Sequence, residues 1–266
     1  MHILEEPLRR GTLASVVWGM AMITKRDPKA RVLVTPSDQL ILQEADYENN
    51  MLDGLDFVGN EGSLLVMGVK ASRPETGYGY IQRGDEINEK GISKVKTFSE
   101  KPSHEFAEMF VKDGGFLWNT GLQAFRADVF LDTLCRIVPE YQLGIPRLMA
   151  DAESGDARLV PEVFQMLPNL SLAVGILERA DNVYVKECSF GWADIGTWTS
   201  IHDDCPADNQ GNVLMDTKAY LYECADNVIR LPQGRIAVVK GLKDYVIAEE
   251  GEILMICPRE DAATMR

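Results

Sequence analysis

The sequence predicts an α/β layer protein followed by a small all-β unit, and three observations carry that reading. Short apolar runs such as Arg31–Thr35 (RVLVT) and Ser63–Val69 (SLLVMGV) alternate with segments of helical spacing up to about residue 205, as in a sheet with helices packed on it. From Pro206 onward no helical spacing remains, and brief runs of strand formers are separated by turn residues. The chain has 266 residues and is 45% hydrophobic, enough to bury a core without disulfides or metal staples.

In chain order, His2 to Leu4 reads as the end of a strand. Thr12 to Lys25 reads as a helix, with Thr12 as its cap and Val16, Met20 and Ile23 on one face. Asp27-Pro28 stops it. Arg31 to Thr35 has the continuous apolar character of a buried parallel strand. A helix over Glu44 to Phe57 and a strand over Ser63 to Val69 come next. Gly77 to Ile81 and Gly91 to Glu100 read as strands joined by turns. Ser103 caps a helix running to Lys112. Gly121 to Phe125 is a strand, helices fill Asp128 to Leu167, and Val183 to Glu187 is again a strand. The sheet is expected to be mostly parallel. A first domain over 1–205 and a second over 206–266 result. The second contains runs at 212–215, 219–223, 228–231, 235–239, 245–249 and 252–257, a spacing that suits a sandwich or a β-solenoid equally.

With 41 acidic and 27 basic side chains the formal charge is −14, which argues against a nucleic-acid partner. Cys135, Cys188, Cys205, Cys224 and Cys257 are an odd set without a C-x-x-C pair, read as thiols in a reducing compartment. The acidic start MHILEEPLRR is not expected to be a signal peptide, and the longest apolar stretch, Val16 to Ile23, is short of the ~20 residues that span a bilayer. The expectation is a cytoplasmic protein without a membrane partner. His2, His104 and His202 stand apart from one another, without metal spacing.

Several loops have the composition of a site. Asp38 comes after a strand in Pro36-Ser37-Asp38, at the carboxyl end where open α/β sheets bind ligands. Asp194 lies between two glycines and two tryptophans in Gly191-Trp192-Ala193-Asp194-Ile195-Gly196-Thr197-Trp198. One carboxylate from each of two strand ends suits a single Mg²⁺ on a triphosphate. A turn-capping Asp and a Trp-packed turn are the plain alternatives. Gly77-Tyr78-Gly79 reads as a hairpin turn or as a close approach to a hydroxylated ligand. Glu100-Lys101 is either an exposed ion pair or an acid for sugar hydroxyls beside a base for phosphate. Asn119-Thr120-Gly121 after Trp118 is a polar break, and Asn offers both a donor and an acceptor.

Six segments in order resemble the mannose-1-phosphate guanylyltransferases (GDP-mannose pyrophosphorylases) of the sugar-nucleotidyltransferase family. They are Glu6-Pro7-x-x-Arg10-x-Thr12, Pro36-Ser37-Asp38, Glu75-Thr76-Gly77-Tyr78-Gly79-Tyr80-Ile81, Phe98-x-Glu100-Lys101-Pro102, Trp118-Asn119-Thr120-Gly121 and Gly191-Trp192-x-Asp194-x-Gly196-Thr197-Trp198. The resemblance runs from Ile3 to the C-terminus. It implies a Rossmann-like mixed sheet with a small C-terminal left-handed β-helix. It also implies attack of mannose 1-phosphate on the α-phosphate of GTP, giving GDP-mannose and pyrophosphate. By carry-over, Asp38 and Asp194 hold Mg²⁺, Lys101 meets the sugar phosphate, Arg10 and Thr12 lie near the nucleotide, Gly79, Glu100 and Asn119 contact mannose, and Thr120 is substrate-binding. A homo-oligomer is left open.

The chain departs from the family pattern. The family's G-G-x-G-x-R phosphate loop is absent, and Met1 aligns just before the family's third strand. Gly11 replaces Asn, Leu13-Ala14 replaces Ala-Pro, and Gln39 replaces His. Ser171 to Glu178 (SLAVGILE) replaces S-I-D-Y-A-V-M-E. The resemblance therefore predicts a gap between a strand ending at Leu4 and the strand ending at Thr35. It also predicts a chain that rearranges that edge, pairs with another chain or is poorly soluble. Without the loop, the resemblance predicts an enzyme by family that is inactive as this chain stands. Two other functions stay open beside guanylyltransfer: a non-catalytic relative that binds a sugar nucleotide or has a regulatory role, and a nucleotidyltransferase for another sugar 1-phosphate.

Overall fold

A computed structural model describes residues 3–262 except 61, 155–158, 195, 197 and 216. Contacts divide the chain into two compact units, 1–36 with 43–190, and 37–42 with 191–266. The expected boundary at 205 thus falls inside the second unit. The reason is a strand pair: a short segment after Pro36 leaves the first unit to pair with the chain beyond Gly191.

The first unit contains α1 (Gly11–Arg26), β1 (Arg31–Val34), then, beyond β2 (Gln39–Ile41) of the other unit, α2 (Glu44–Asn60), β3 (Leu64–Lys70), β4 (Tyr80–Ile87), β5 (Ile92–Ser99), α3 (His104–Asp113), β6 (Phe116–Arg126), α4 (Ala127–Ile137), α5 (Glu140–Ser154), α6 (Leu159–Met166), a five-residue π-helix (Ala173–Leu177) and β7 (Val183–Cys188). The sheet order is β1-β6-β3-β7-β5-β4, with β6 also pairing with β4. It is mixed, not mostly parallel. Among the described strand pairs of this sheet only β3 with β7 is parallel, because β6 runs antiparallel between β1 and β3, and β4–β5 is a hairpin.

The predicted interior gap is not formed. Residues 3–10 carry no strand, His2 lies outside the described residues, and β1 is joined to the sheet through β6. The last third of β6 pairs on both sides, Ala124 with Leu33 and with Leu65, so the sheet is continuous there. The apolar faces of α1, α4, α5 and α6 close over this sheet in one core that includes Leu13, Val17, Phe125, Phe130, Tyr141 and Phe164. Burying such side chains contributes on the order of 1.5–3 kcal/mol each.

Two predicted caps are not made. α1 starts at Gly11, and the Thr12 hydroxyl accepts the Leu172 N–H at 3.0 Å. Ser103 occupies the N-cap of α3, without a side-chain hydrogen bond. Gly11 has φ +72°, and a Cβ there would lie 2.3 Å from the Leu170 carbonyl oxygen. Asn tolerates positive φ but carries that Cβ, so this packing explains why Gly stands where the resembling family has Asn.

The second unit holds β2, β8 (Trp192–Asp194), α7 (Trp198–Asp204), β9 (Val213–Met215), β10 (Lys218–Tyr222), β11 (Val228–Arg230), β12 (Ile236–Lys240), β13 (Tyr245–Glu250), β14 (Ile253–Pro258) and α8 (Arg259–Ala262). β9, β11 and β13 stack in parallel, as do β10 and β12, and β14 returns antiparallel to β13. Parallel stacking of short strands selects the solenoid over the sandwich. Asn212 and Asn227, both fully buried, form an internal ladder: the Asn227 side-chain amide donates to Asn212 Oδ1 at 2.8 Å and to the Leu242 carbonyl at 2.9 Å, and its Oδ1 accepts the Tyr245 N–H. Buried amides satisfied in this way fix the register of successive coils. The five cysteines form no disulfide with one another. No helix among the described residues is long and apolar enough to cross a membrane.

A buried cation ties three elements of the first unit. The Lys186 side chain, 6% exposed, reaches Asp53 at 3.3 Å, and Lys90 meets the same carboxylate at 2.9 Å. The Lys90 hydrogen bond, aided by the charge of Lys186, holds the Asp53 carboxyl below its ordinary value of 3.8. A carboxyl lowered by folding stabilises the protein above its unfolded pKa, and the gain is lost as pH falls through the folded one. Two outcomes are expected. Asp53→Asn lowers stability by about 2 kcal/mol at neutral pH, and the deficit narrows below pH ~4 in denaturant titrations. Gly11→Ala costs about 2 kcal/mol, a fall of roughly 4–8 °C in Tm by calorimetry.

Candidate active site

The site in the first unit is built where β4, β5 and β6 meet. β6 departs from regular pairing at its middle: Gly68 pairs with Asn119 and Val66 with Gln123, so the partner strand carries a bulge across Thr120 to Leu122. Thr120 is buried and pins the bulge. Its hydroxyl donates to the Met67 carbonyl at 2.8 Å and accepts the Leu122 N–H at 3.2 Å. The bulge sets Asn119 opposite Gly68, where an unbroken ladder would set it opposite Lys70. Its Oδ1 accepts the Gly121 N–H at 3.1 Å, which leaves its amide hydrogens to donate.

Gly79 lies directly beside it. The Asn119 N–H donates to the Gly79 carbonyl at 2.8 Å. A Cβ on Gly79 would lie 2.8 Å from Glu100 Oε2, 3.3 Å from Phe98 Cε1 and 3.4 Å from Asn119 Cβ. Gly79, Glu100 and Asn119, which are spread over forty residues of sequence, are therefore brought to one spot, and the missing side chain leaves room beside the carboxylate.

Glu100 comes just after the end of β5 and is half-buried. Burial raises its carboxyl above its ordinary 4.5, the nearby Lys101 lowers it, and Glu178 raises it further. Lys101 is exposed and has φ +46°, a backbone state non-glycine residues avoid. The Glu100 N–H donates to Glu178 Oε1 at 3.1 Å.

Next to this spot the loop before β4 forms an aromatic wall. The Arg73 guanidinium sits 5.2 Å over the Trp118 ring, Tyr78 meets Trp118 edge-on at 5.3 Å, and the Tyr80 hydroxyl donates to the Arg73 carbonyl at 3.3 Å. Burial raises the Tyr80 phenol. Arg73, Tyr78, Trp118 and Glu178 were not singled out as site residues from sequence. Three of them stand within or just before the family-like motifs, and Glu178 occupies the last position of the segment that otherwise departs from S-I-D-Y-A-V-M-E.

Arg10 is tied to the last turn of α6 and Thr12 to the segment after it. The Arg10 guanidinium donates to the Phe164 carbonyl at 2.8 Å and the Gln165 carbonyl at 3.4 Å, and Thr12 accepts from Leu172.

In the second unit, β2 and β8 pair antiparallel with Gln39 opposite Asp194, so Asp38 stands one residue from the partner of Asp194. Asp38 is exposed and lies in a bend. Asp194 Oδ1 accepts the Gly196 N–H at 2.9 Å, leaving its other oxygen. The close approach at Gly191 is to Leu42, whose Cβ would lie 2.8 Å from a side chain there. Ile195 and Thr197 of this motif lie outside the described residues. Among the described residues there is no cluster of three acidic, His or Cys side chains fit for a metal. Two carboxylates remain, which suits a Mg²⁺ that keeps water and phosphate ligands better than it suits a fully caged ion.

Residues 1–211 match the family of nucleotidyl transferases, and the chain belongs to it. It is 31% identical over 97% of its length to the alginate biosynthesis protein AlgA of Pseudomonas fluorescens, covering 54% of that protein. It is 27% identical over its whole length to a mannose-1-phosphate guanylyltransferase of Escherichia coli, covering 58% of it. The chain thus spans little more than half of these relatives. A crystal structure of mannose-1-phosphate geranyltransferase from Thermus thermophilus superposes with TM-score 0.88 at 28% identity, over 99% of this chain and 75% of that one.

Glu100 is expected to weaken the fold while it strengthens the site. A carboxyl raised by folding stabilises below its unfolded pKa, and that contribution is lost as pH rises through the folded one. Glu100→Gln is therefore expected to melt higher than the native chain at pH 7 and level with it below pH ~4, as read by Tm against pH.

Proposed function

We propose that the chain is a sugar-1-phosphate guanylyltransferase acting on mannose 1-phosphate and GTP, as the name of the Escherichia coli relative suggests. The observation that carries this is the convergence of Gly79, Glu100 and Asn119. An ionised carboxylate accepts two sugar hydroxyl hydrogens, and an amide with free N–H groups donates to a sugar oxygen. A glycine between them admits the ring. Lys101, at the same strand end, holds the sugar phosphate as a point charge.

In-line displacement at the α-phosphate depends mainly on positioning and charge neutralisation. Asp38 and Asp194 are the residues that would hold Mg²⁺, which when bound supplies charge neutralisation at the phosphates. Arg10 and Thr12 act in this reading by fixing the start of α1, since their polar atoms already serve the protein backbone. The same proposal takes the C-terminal coils as left-handed, which rests on the family resemblance; their short parallel strands support the coils themselves.

One observation favours a second reading. Because Arg10 and Thr12 are engaged by protein carbonyls and amides, a relative that binds the sugar compound without turning it over also fits. Incubation with GTP, Mg²⁺ and mannose 1-phosphate, with pyrophosphate release as the readout, decides. Turnover is expected, lost on chelation and reduced about 100-fold or more in Asp38→Asn and Asp194→Asn. Binding of GDP-mannose with no pyrophosphate release selects the second reading. Turnover with a different sugar 1-phosphate in a panel replaces mannose while keeping the class.

A further inference from the structure

The Glu100 carboxylate has a fixed direction only if the backbone that carries it is fixed, and this backbone is at a vulnerable point. β5 ends at Ser99, and Lys101 immediately adopts φ +46°. A residue between the last ladder position and a strained one has lost the sheet's hydrogen bonds and needs another partner. The partner comes from 78 positions further along the chain: Glu178 Oε1 accepts the Glu100 N–H at 3.1 Å.

Glu178 stands directly after the π-helix of Ala173–Leu177. A π-helix carries more residues per turn than the α-helix, which rotates the residues that come after it, and such turns collect at functional sites. Its geometry is set by packing. Gly175 approaches Leu13 so closely that a Cβ would lie 2.4 Å from Leu13 Cδ2, and the Glu178 N–H closes the turn on the Ala173 carbonyl at 3.0 Å. The π-helix is thereby seated on α1 through a core residue, and Glu178 projects from its end. Glu178 is itself exposed, so holding it costs little desolvation, and its second oxygen has solvent available to it.

We propose that Glu178 is a positioning residue for the sugar site: by accepting the Glu100 N–H it fixes the β5 exit so that the Glu100 carboxylate stands against Gly79 and Asn119. This rests on the sugar-binding reading given above. Glu178 works through its acceptor oxygen, and its charge has a second, separable effect. The charged groups acting on Glu100 are Lys101 in its own turn and Glu178 from the π-helix; the β4 and β6 sides present Gly79 and Asn119, which do not titrate. Removing the Glu178 charge while keeping an acceptor therefore lets Glu100 ionise at lower pH.

The test is calorimetric titration of mannose 1-phosphate into the full chain, its Glu178→Ala and Glu178→Gln variants, at several pH values, with GTP titrated as a control. Glu178→Ala is expected to weaken mannose 1-phosphate about five- to tenfold and to leave GTP unchanged. Glu178→Gln is expected to restore affinity to within about twofold and to shift the acid limb of the affinity profile to lower pH. A purely structural role predicts no such rescue and no such shift. Native binding that is unchanged in Glu178→Ala, or a Gln variant as weak as Ala, overturns the positioning role alone. Absence of binding by the native chain overturns the sugar reading, and the positioning role with it.

Discussion

The bulge in β6 is the constraint on which the site of the first unit depends. β6 is the one strand that pairs with β1, β3 and β4, so its course decides where three others lie. An unbroken ladder would set Asn119 opposite Lys70. The two extra residues across Thr120 to Leu122 set it opposite Gly68 instead, and the Thr120 hydroxyl compensates the two backbone groups the bulge leaves over. The result is an Asn with spare donors beside a glycine and a half-buried carboxylate. Thr120 thus serves the site from behind, by holding the strand that presents Asn119.

Elsewhere the same logic recurs: backbone pairing, not local sequence, gathers the groups. Asp38 and Asp194 lie far apart in the chain and become neighbours because three residues on each side form a ladder. Glu100 and Glu178 meet through one hydrogen bond from the Glu100 backbone N–H to the Glu178 carboxylate. In each case a polar side chain stands at the end of a strand or helix, where the regular hydrogen bonding has stopped and an atom is free to do something else.

Much of this was legible in the sequence, for identifiable reasons. The strands beyond Pro206 fall within a residue or two of the runs read from the sequence, since turn residues punctuate them sharply. The helix over Thr12 to Lys25 was plain from periodicity and RVLVT from its apolar run, although that strand is a half-exposed antiparallel edge and not the buried parallel strand expected. Strand direction was not, because an apolar run looks the same either way round; the expected parallel sheet became a mixed one when β6 entered antiparallel. The caps at Thr12 and Ser103 failed because a hydroxyl at a helix start has competing partners that only tertiary structure reveals. The domain boundary was misplaced because β2 pairs across the chain, which no composition shift marks. Of the site, the ordered motifs gave Gly79, Glu100 and Asn119. Glu178 was hidden in a segment that departs from the family pattern, and its role is carried by a backbone contact that side-chain identity alone does not announce.

The most direct measurement is a ¹⁵N-resolved NMR titration of the full chain with mannose 1-phosphate. If the convergence of β4, β5 and β6 is a sugar-phosphate site, amide shifts concentrate at Gly79, Glu100, Lys101 and Asn119, and saturate together with one dissociation constant. Shifts that saturate elsewhere, with these four amides unmoved, contradict the account.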